Sequence, residues 1–231
     1  MFEDIEVPEG GFRCIVADPP WQYGVWGKAS PAAYKVSGIR EETNKELPLP
    51  YPAMTIEEIS KLPVSSLSAE NCDLYLWVTQ KYLPNGFDVL NVWGFKYCQT
   101  LTWCKTPRGL GQGGLFCPTT EFILLGRKGK MPIKRRIETT WWNVKRPHNN
   151  HSAKPEFFQD LIELVSNTPR LELFARRKRS GWTVWGNEIQ SNGEIEQYAH
   201  RPEKQIGESE GSTKQSNPGL DKICRLQMRD H

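Results

Sequence analysis

Short apolar runs, cut by proline, glycine and charged residues, divide the first 190 positions of this 231-residue chain. "FRCIVA" (12–17) is almost continuously apolar and predicts a strand buried on both faces. "CDLYLWVT" (72–79), "KYCQTLTWCK" (96–105), "TTEFILLGRKG" (119–129, turning at Gly126), "RLELFA" (170–175) and the short "GWTVWG" (181–186) read as further strands. "MTIEEISKL" (54–62) reads as a short helix, with Thr55 as N-cap and Glu58 completing a capping box. "LPNGFDVLNVWG" (83–94) reads as a helix closed by Gly94. "KPEFFQDLIELV" (154–165) carries Phe157, Phe158, Leu161, Ile162, Leu164 and Val165 at helical spacing. Residues 18–53 and the glycine-rich 105–116 hold no sustained period and read as loops. A loop as long as the first is functional or mobile in a compact domain. Strands alternating with helices predict an α/β domain with a mostly parallel sheet. Ligands of such sheets bind at the carboxyl ends of strands, and Asp18 and Arg176 sit at two such ends.

From about residue 191 the pattern stops. "SNGEIEQYAHRPEKQIGESEGSTKQSNPG" is polar and cannot bury much, so 1–190 is read as the folded domain and 191–231 as a disordered tail. "LDKICRLQMRDH" allows one short terminal helix. No internal repeat is present, and no apolar run approaches the ~18 residues of a membrane span. The acidic start "MFEDIEVPEGG" lacks a signal-peptide pattern, so a cytoplasmic or nuclear protein is expected.

Cysteine usage and charge change this picture little. Cys14, Cys72, Cys98, Cys104, Cys117 and Cys224 form no Cys-x-x-Cys pair and are expected to be buried free thiols. His148 and His151 have no cysteine pair at zinc-finger spacing, so no metal site is expected. The net charge is +3, but basic residues concentrate in "GRKGKMPIKRR" (126–136) and "ARRKRSGW" (175–182). Such runs are ordinarily solvated loops. Interleaved with Trp141, Trp142 and Trp182, they would instead make a phosphate-tracking surface with stacking rings.

The candidate chemistry lies in "ADPPW" (17–21). Two consecutive prolines remove two N–H donors and fix two φ angles. They push Asp18 out of the helical region, giving a stiff, extended exit from the first strand. An exocyclic amine on a planar heteroaromatic ring is a poor nucleophile because its lone pair is delocalised. The Asp18 carboxylate, or the carbonyls of Pro19 and Pro20, would accept both amine hydrogens and free that lone pair, while Trp21 would offer a face for stacking. Fixing the amine in line with an electrophile is positioning plus electrostatics, and a flipped base in a tight pocket is a known setting for it. The plain alternative is a proline-rich turn capped by a packed tryptophan.

The motif has the Asp/Asn/Ser-Pro-Pro-aromatic form of amino-group methyltransferases. With "YPAMTIEEISKLPV" (51–64), "LYLWVT" (74–79), "LNVWGF" (90–95), "LTWCKT" (101–106), "HSAKPE" (151–156), "LELFARR" (171–177) and "GWTVWGNE" (181–188), it gives nearly all of residues 12–190 a resemblance to one family. This is the adenine-N6 methyltransferase family named after the seventy-kilodalton subunit of the mRNA methyltransferase. The resemblance implies a Rossmann-like α/β domain that uses S-adenosyl-L-methionine, permuted so that the catalytic motif precedes much of the cofactor site. It implies a catalytic turn at Asp18, Pro19, Pro20 and Trp21, with Asp18 between the cofactor's methionine end and the amine. Lys154 matches the lysine near the cofactor carboxylate, and Arg176 and Asn187 match the ribose contacts. Glu188 stands where many members have glutamine, and Lys178 stands in place of a family histidine. Asp4-Ile5 is the candidate for the pair that holds the adenine ring, at a shorter spacing than the family's; the other reading is a loose N-terminus.

The resemblance also implies the reaction, methyl transfer to adenine N6 in nucleic acid. The compact chain is similar to the small bacterial and phage members, which favours DNA over RNA. A silent nucleic-acid-binding scaffold is the alternative, and intact Asp18 to Trp21 and Lys154 argue against it. A homodimer, or a heterodimer with a related subunit, is a further partner that the family allows. Specificity is expected from the loops 22–50 and 106–117, from the basic stretch 126–136 or from a partner chain. Lys134, Arg135 and Arg136 are expected to join the long loop in one positive rim around Asp18 that holds flanking phosphates.

Overall fold

The computed structural model describes residues 2, 4–22, 53–105, 116, 118–147, 153–186 and 189. These lie in the compact unit Met1–Ser191; the unit Asn192–His231, with the expected tail and terminal helix, lies outside the described residues. Among the described residues, no helix is long and apolar enough to cross a membrane.

The strands are β1 (Phe12–Ala17), β2 (Ser68–Val78), β3 (Lys96–Lys105), β4 (Thr120–Lys128), β5 (Trp141–Val144), β6 (Arg170–Leu173) and β7 (Thr183–Trp185). They form one seven-stranded sheet in the order β5-β3-β4-β2-β1-β6-β7. β1 pairs in parallel with β2 and β6, β6 with β7, and β3 with β5, whereas β4 runs antiparallel to both β2 and β3. The expected α/β fold with a mostly parallel sheet is therefore present. From central β1 the chain proceeds to β2 on one side and returns much later as β6 on the other. The carboxyl ends of β1 and β6 thus flank a topological switch point, where such sheets open a crevice.

Helices α1 (Ile56–Ser60), α2 (Val64–Leu67) and α3 (Leu83–Val92) cover one face, and α4 (Glu156–Val165) the other. β1 and β2 contribute to both cores: Ile15, Ala17, Leu74 and Leu76 to the first, Val16, Tyr75 and Trp77 to the second. That two-sided burial explains their nearly unbroken apolar sequence. The Thr55 capping box forms as expected, with both reciprocal bonds to Glu58. Gly94 closes α3 with φ 83°.

Three expectations need correcting. Gly126 is not a turn: β4 runs through it, and the turn falls at Gly129, φ 66°. A Cβ at Gly126 would stand 2.6 Å from Leu90 Cδ2 and 2.9 Å from Phe95 Cβ, so glycine lets α3 settle onto the sheet there. "WWNV" forms strand β5, hidden from sequence reading by its brevity and polar flanks. Cys98 is exposed and Cys104 half-buried, while Cys14 and Cys72 are buried as expected and Cys117 and Cys224 lie outside the described residues. Burial pushes the Cys14 thiol up to about 12, which leaves it unreactive.

Gly126→Ala should destabilise the domain by about 1–3 kcal/mol, because Phe95 Cβ is fixed to its backbone and cannot step aside. Calorimetry should show a melting point lower by several degrees. An unchanged melting point would mean that α3 can slide.

Candidate active site

β1 delivers Asp18 to the carboxyl edge of the sheet. The turn after it is held at both prolines: Pro19 O accepts from Trp21 N–H at 2.8 Å and Pro20 O from Met54 N–H at 2.8 Å. The proline carbonyls are thus not free, as the sequence suggested, although each keeps a second lone pair. The Met54 bond and a Trp21–Met54 bridge pin together the two ends of the loop 22–53, most of which lies outside the described residues. Trp21 is only 2% exposed. Its indole donates to Trp77 O at 3.0 Å and its ring stacks on Tyr82 with centroids 5.2 Å apart. It braces the turn and does not present a stacking face, which corrects the sequence reading.

Lys154, just before α4, reaches across the sheet edge and donates to Asp18 Oδ1 at 2.9 Å and Oδ2 at 2.7 Å. The same ammonium lies 3.5 Å from Glu121 Oε2 and 5.2 Å from the centre of the Trp77 ring. Glu121 in turn pairs with Lys105. Sequence reasoning missed both Glu121 and Lys105. Because β4 is antiparallel, its first residues, not its last, lie at the edge that carries Asp18, where Glu121 stands opposite Trp103. A signal was available in the period-two pattern, which puts Glu121 on the core side with Ile123, and Lys105 with Trp103.

Electrostatics at this cluster are set by burial against pairing. Desolvation raises the Asp18 carboxyl above the ordinary carboxylate range, against the pull of Lys154 and, more weakly, Arg176. Burial also raises Glu121, but Lys154 and Lys105 together more than offset it and leave it low. Lys105 is lowered by burial, opposed by Glu121, with Arg146 and Lys154 adding to the fall. On β6, burial pushes Glu172 up to about 7; a hydrogen bond from Gln159 opposes this and the charge of Asp18 reinforces it. The Thr79 hydroxyl, one residue past β2 at the same edge, is buried with no partner among the described residues.

The exit of β6 is shaped by strain and by a clamp. Phe174 adopts φ 63°, disfavoured for a side chain with a Cβ, and packs its ring on Trp185. A Cβ on Gly186 would meet Ala175 O at 2.1 Å, so β7 closes against the residue that precedes Arg176. Arg179 bonds Glu156, Asp160 and Glu163 on α4 at 2.6–2.7 Å, and Trp182 donates to Glu163 at 2.7 Å. This holds the loop that carries Arg176. Lys178, in the place of the family histidine, is exposed.

The structure joins Lys154 directly to Asp18 and places Arg176 near enough for its charge to lower the Asp18 carboxyl. The N-terminus is not loose: Ile5 and Phe2 are buried, with Phe2 edge-on to Trp185, while Asp4 is exposed. Asn187 and Glu188 lie outside the described residues. Two tryptophans expected as stacking rings belong to the core: Trp142 is 3% and Trp182 8% exposed. The expected basic rim does not form as drawn. Antiparallel β4 ends at the edge opposite Asp18, with Arg127 paired to Asp73 and Lys134 donating to Ser166 O ahead of β6. Lys134, Arg135 and Arg136 therefore leave from the wrong end of the sheet for that role.

Comparison with known proteins decides the family. The MT-A70 family model matches residues 12–188. The chain belongs to the MT-A70 family of N6-adenine methyltransferases. It is 31% identical over 197 residues to the type II methyltransferase M.MunI of a Mycoplasma species, covering 81% of this chain and 82% of that one. It is 28% identical over 189 residues to the N(6)-adenosine-methyltransferase MT-A70-like of Arabidopsis thaliana, covering 78% of this chain and 24% of that one. It is 25% identical over 190 residues to the human N(6)-adenosine-methyltransferase catalytic subunit METTL3, covering 78% and 28%. The MT-A70 resemblance and the Rossmann-like α/β fold expected from sequence are both borne out.

The pairing predicts how activity depends on pH. A carboxyl raised by burial loses its charge as pH falls through a value above the ordinary range, so the acid limb of kcat should lie there. Lys154→Ala removes the charge that lowers Asp18 and should move that limb further up. Asp18→Asn should lower kcat by about 10²–10³-fold and abolish the limb; a limb that persists would assign it to another group. Glu172 bears on stability instead. Its native pKa exceeds the unfolded value, so the native state loses stability as pH rises from about 4.5 to 7. Glu172→Gln should therefore gain up to about 3 kcal/mol over the parent at pH 8 and nothing at pH 4, as read by denaturant unfolding at the two pH values.

Proposed function

We propose that this MT-A70 enzyme transfers a methyl group from S-adenosylmethionine to the N6 amine of adenine in nucleic acid, with DNA as the preferred substrate. The observation that carries the reading is the Asp18 carboxylate, presented at the end of β1 beside the β1–β6 crevice and held on both oxygens by Lys154. The donor set suits S-adenosylmethionine: an anionic Asp18 for its sulfonium, cationic Lys154 for its carboxylate, and Arg176 for its ribose, joined by Asn187, Glu188 and the Asp4-Ile5 pair. Bound there, that cofactor supplies an electrophilic methyl group, the N–C bond forming as the S–C bond breaks.

The chain's own residues do the rest. A carboxylate has about four acceptor sites, so Asp18 can hold Lys154 and still accept amine N–H groups. Those bonds draw electron density onto N6 and hold the hydrogen that must later leave as a proton. The remaining lone pairs of Pro19 and Pro20 can share that task. Trp21, packed on Tyr82, keeps the turn from giving way. Burial makes these charge interactions stronger than in water.

DNA is favoured because a relative matched over most of both lengths is named a type II methyltransferase. The relatives named for adenosine extend far beyond the matched region. The METTL3 name includes "catalytic subunit", which makes a related chain a reasonable second partner here too. Labelled cofactor incubated with the full chain and adenine-containing DNA or RNA, then nucleoside separation, should give N6-methyl-deoxyadenosine in excess. Methyladenosine from RNA alone would reverse the substrate preference, and labelled cytosine would sink the assignment to adenine.

A further inference from the structure

The edge strand β5 carries a side-chain pattern that the methyl-transfer site does not use. Trp142 and Val144 point into the core beneath α4, so Trp141, Asn143 and Lys145 line the other face at every second position. Trp141 is 57% exposed, beside a neighbour that is 3% exposed. Other apolar side chains are as open to water, Ile133 and Val92 among them, but Trp141 is the exposed tryptophan among the described residues and offers a flat face on a strand. β5 runs parallel to β3, its Val144 opposite Lys105, so the chain leaves it at the catalytic edge through Lys145 and Arg146. Both are exposed, and neither pairs with an acid among the described residues. Arg146 is close enough to Lys105 for its charge to be felt there, which places it near the edge that carries Asp18.

We propose that this edge is a nucleic-acid subsite, in which Trp141 stacks on a base several nucleotides from the target adenine and Lys145 and Arg146 hold the phosphates. It rests on the methyltransferase reading above and says where the rest of the substrate lies. A flat ring on a strand that runs on into exposed cations suits a strand of stacked bases with charged links. It meets that strand without reading its sequence. The sheet order sets the distance. β5 and β1 are separated by β3, β4 and β2, four steps of about 4.8 Å, or about 19 Å in all. At about 3.4 Å per stacked nucleotide, Trp141 engages the strand about five or six nucleotides from the adenine.

Methyl transfer by the full chain should be measured on oligonucleotides, both DNA and RNA, whose target adenine has either two or ten neighbours on each side. Trp141→Ala should raise KM about tenfold for the long substrate and leave the short one and the cofactor affinity unchanged, and Trp141→Phe should recover most of the loss. Lys145→Ala combined with Arg146→Ala should flatten the salt dependence of binding by between one and two in log–log slope. A long-substrate KM unmoved by Trp141→Ala overturns the subsite alone. So does a dimer in light scattering that Trp141→Ala dissolves, since a second copy would then cover the edge. If the wild-type chain methylates no oligonucleotide, the active-site reading falls and the subsite falls with it.

Discussion

One ammonium, Lys154 Nζ, binds both oxygens of Asp18 and leans on Glu121, and three otherwise separate segments meet at it. Asp18 ends β1, Glu121 begins β4, and Lys154 leads into α4. Without the lysine, two partly buried carboxylates would face each other with Lys105 beside Glu121 and the weaker pull of Arg176 on Asp18 to compensate them. Without the carboxylates, the lysine would carry its charge over the Trp77 ring in a poorly hydrated place. The cluster is therefore a condition for closing the carboxyl edge as well as the chemical centre. The neighbouring features serve to keep it in place. Proline and indole bonds stiffen the Asp18 turn, and Arg179 ties the loop after β6 back to α4.

The direction of a single strand separates what was legible in the sequence from what was not. Periodicity and capping located β1, α1, α3, β3 and α4 closely, because each has an apolar face or a terminal signal of its own. β4 was equally visible as a strand, but its direction is a tertiary property, decided by insertion between β3 and β2. Read as parallel, it sends its basic end toward Asp18; in the fold it sends Glu121 there instead and carries Arg127 to the far edge. The missed partner and the misplaced basic rim thus share one cause. Gly126 was misread for a related reason. A glycine needed for helix-to-sheet approach looks, in sequence, like a glycine needed for a turn.

Trp21, Trp142 and Trp182 show the limit of composition. A tryptophan beside arginines reads as a stacking ring, yet alternation on a strand decides whether it faces water. On β5 two adjacent tryptophans take opposite fates, since successive side chains point to opposite faces. By contrast, the Asp-Pro-Pro-Trp turn was legible because its constraints are local: fixed φ angles and missing donors act whatever surrounds them. Lys154 could be assigned only through the family resemblance, since a lysine at a helix start is bland until the fold lays it against Asp18.

Charge is distributed in a way that suits a division of labour between chemistry and substrate holding. Lys105, Glu121, Lys154 and Asp18 form two cations alternating with two carboxylates, so this four-residue cluster is neutral as a whole. A neutral cluster suits a neutral amine, which needs directed acceptors more than net field. It does little to attract the phosphates on either side of the base. Positive charge to hold them must lie outside the cluster, and close enough that one strand reaches both. Lys145 and Arg146 satisfy both requirements at the end of β5, whereas the larger cluster of lysines and arginines after β4 fails the second. Antiparallel β4 thus places an acid at the Asp18 edge, and the cations at that edge outside the cluster follow β5, beyond β3.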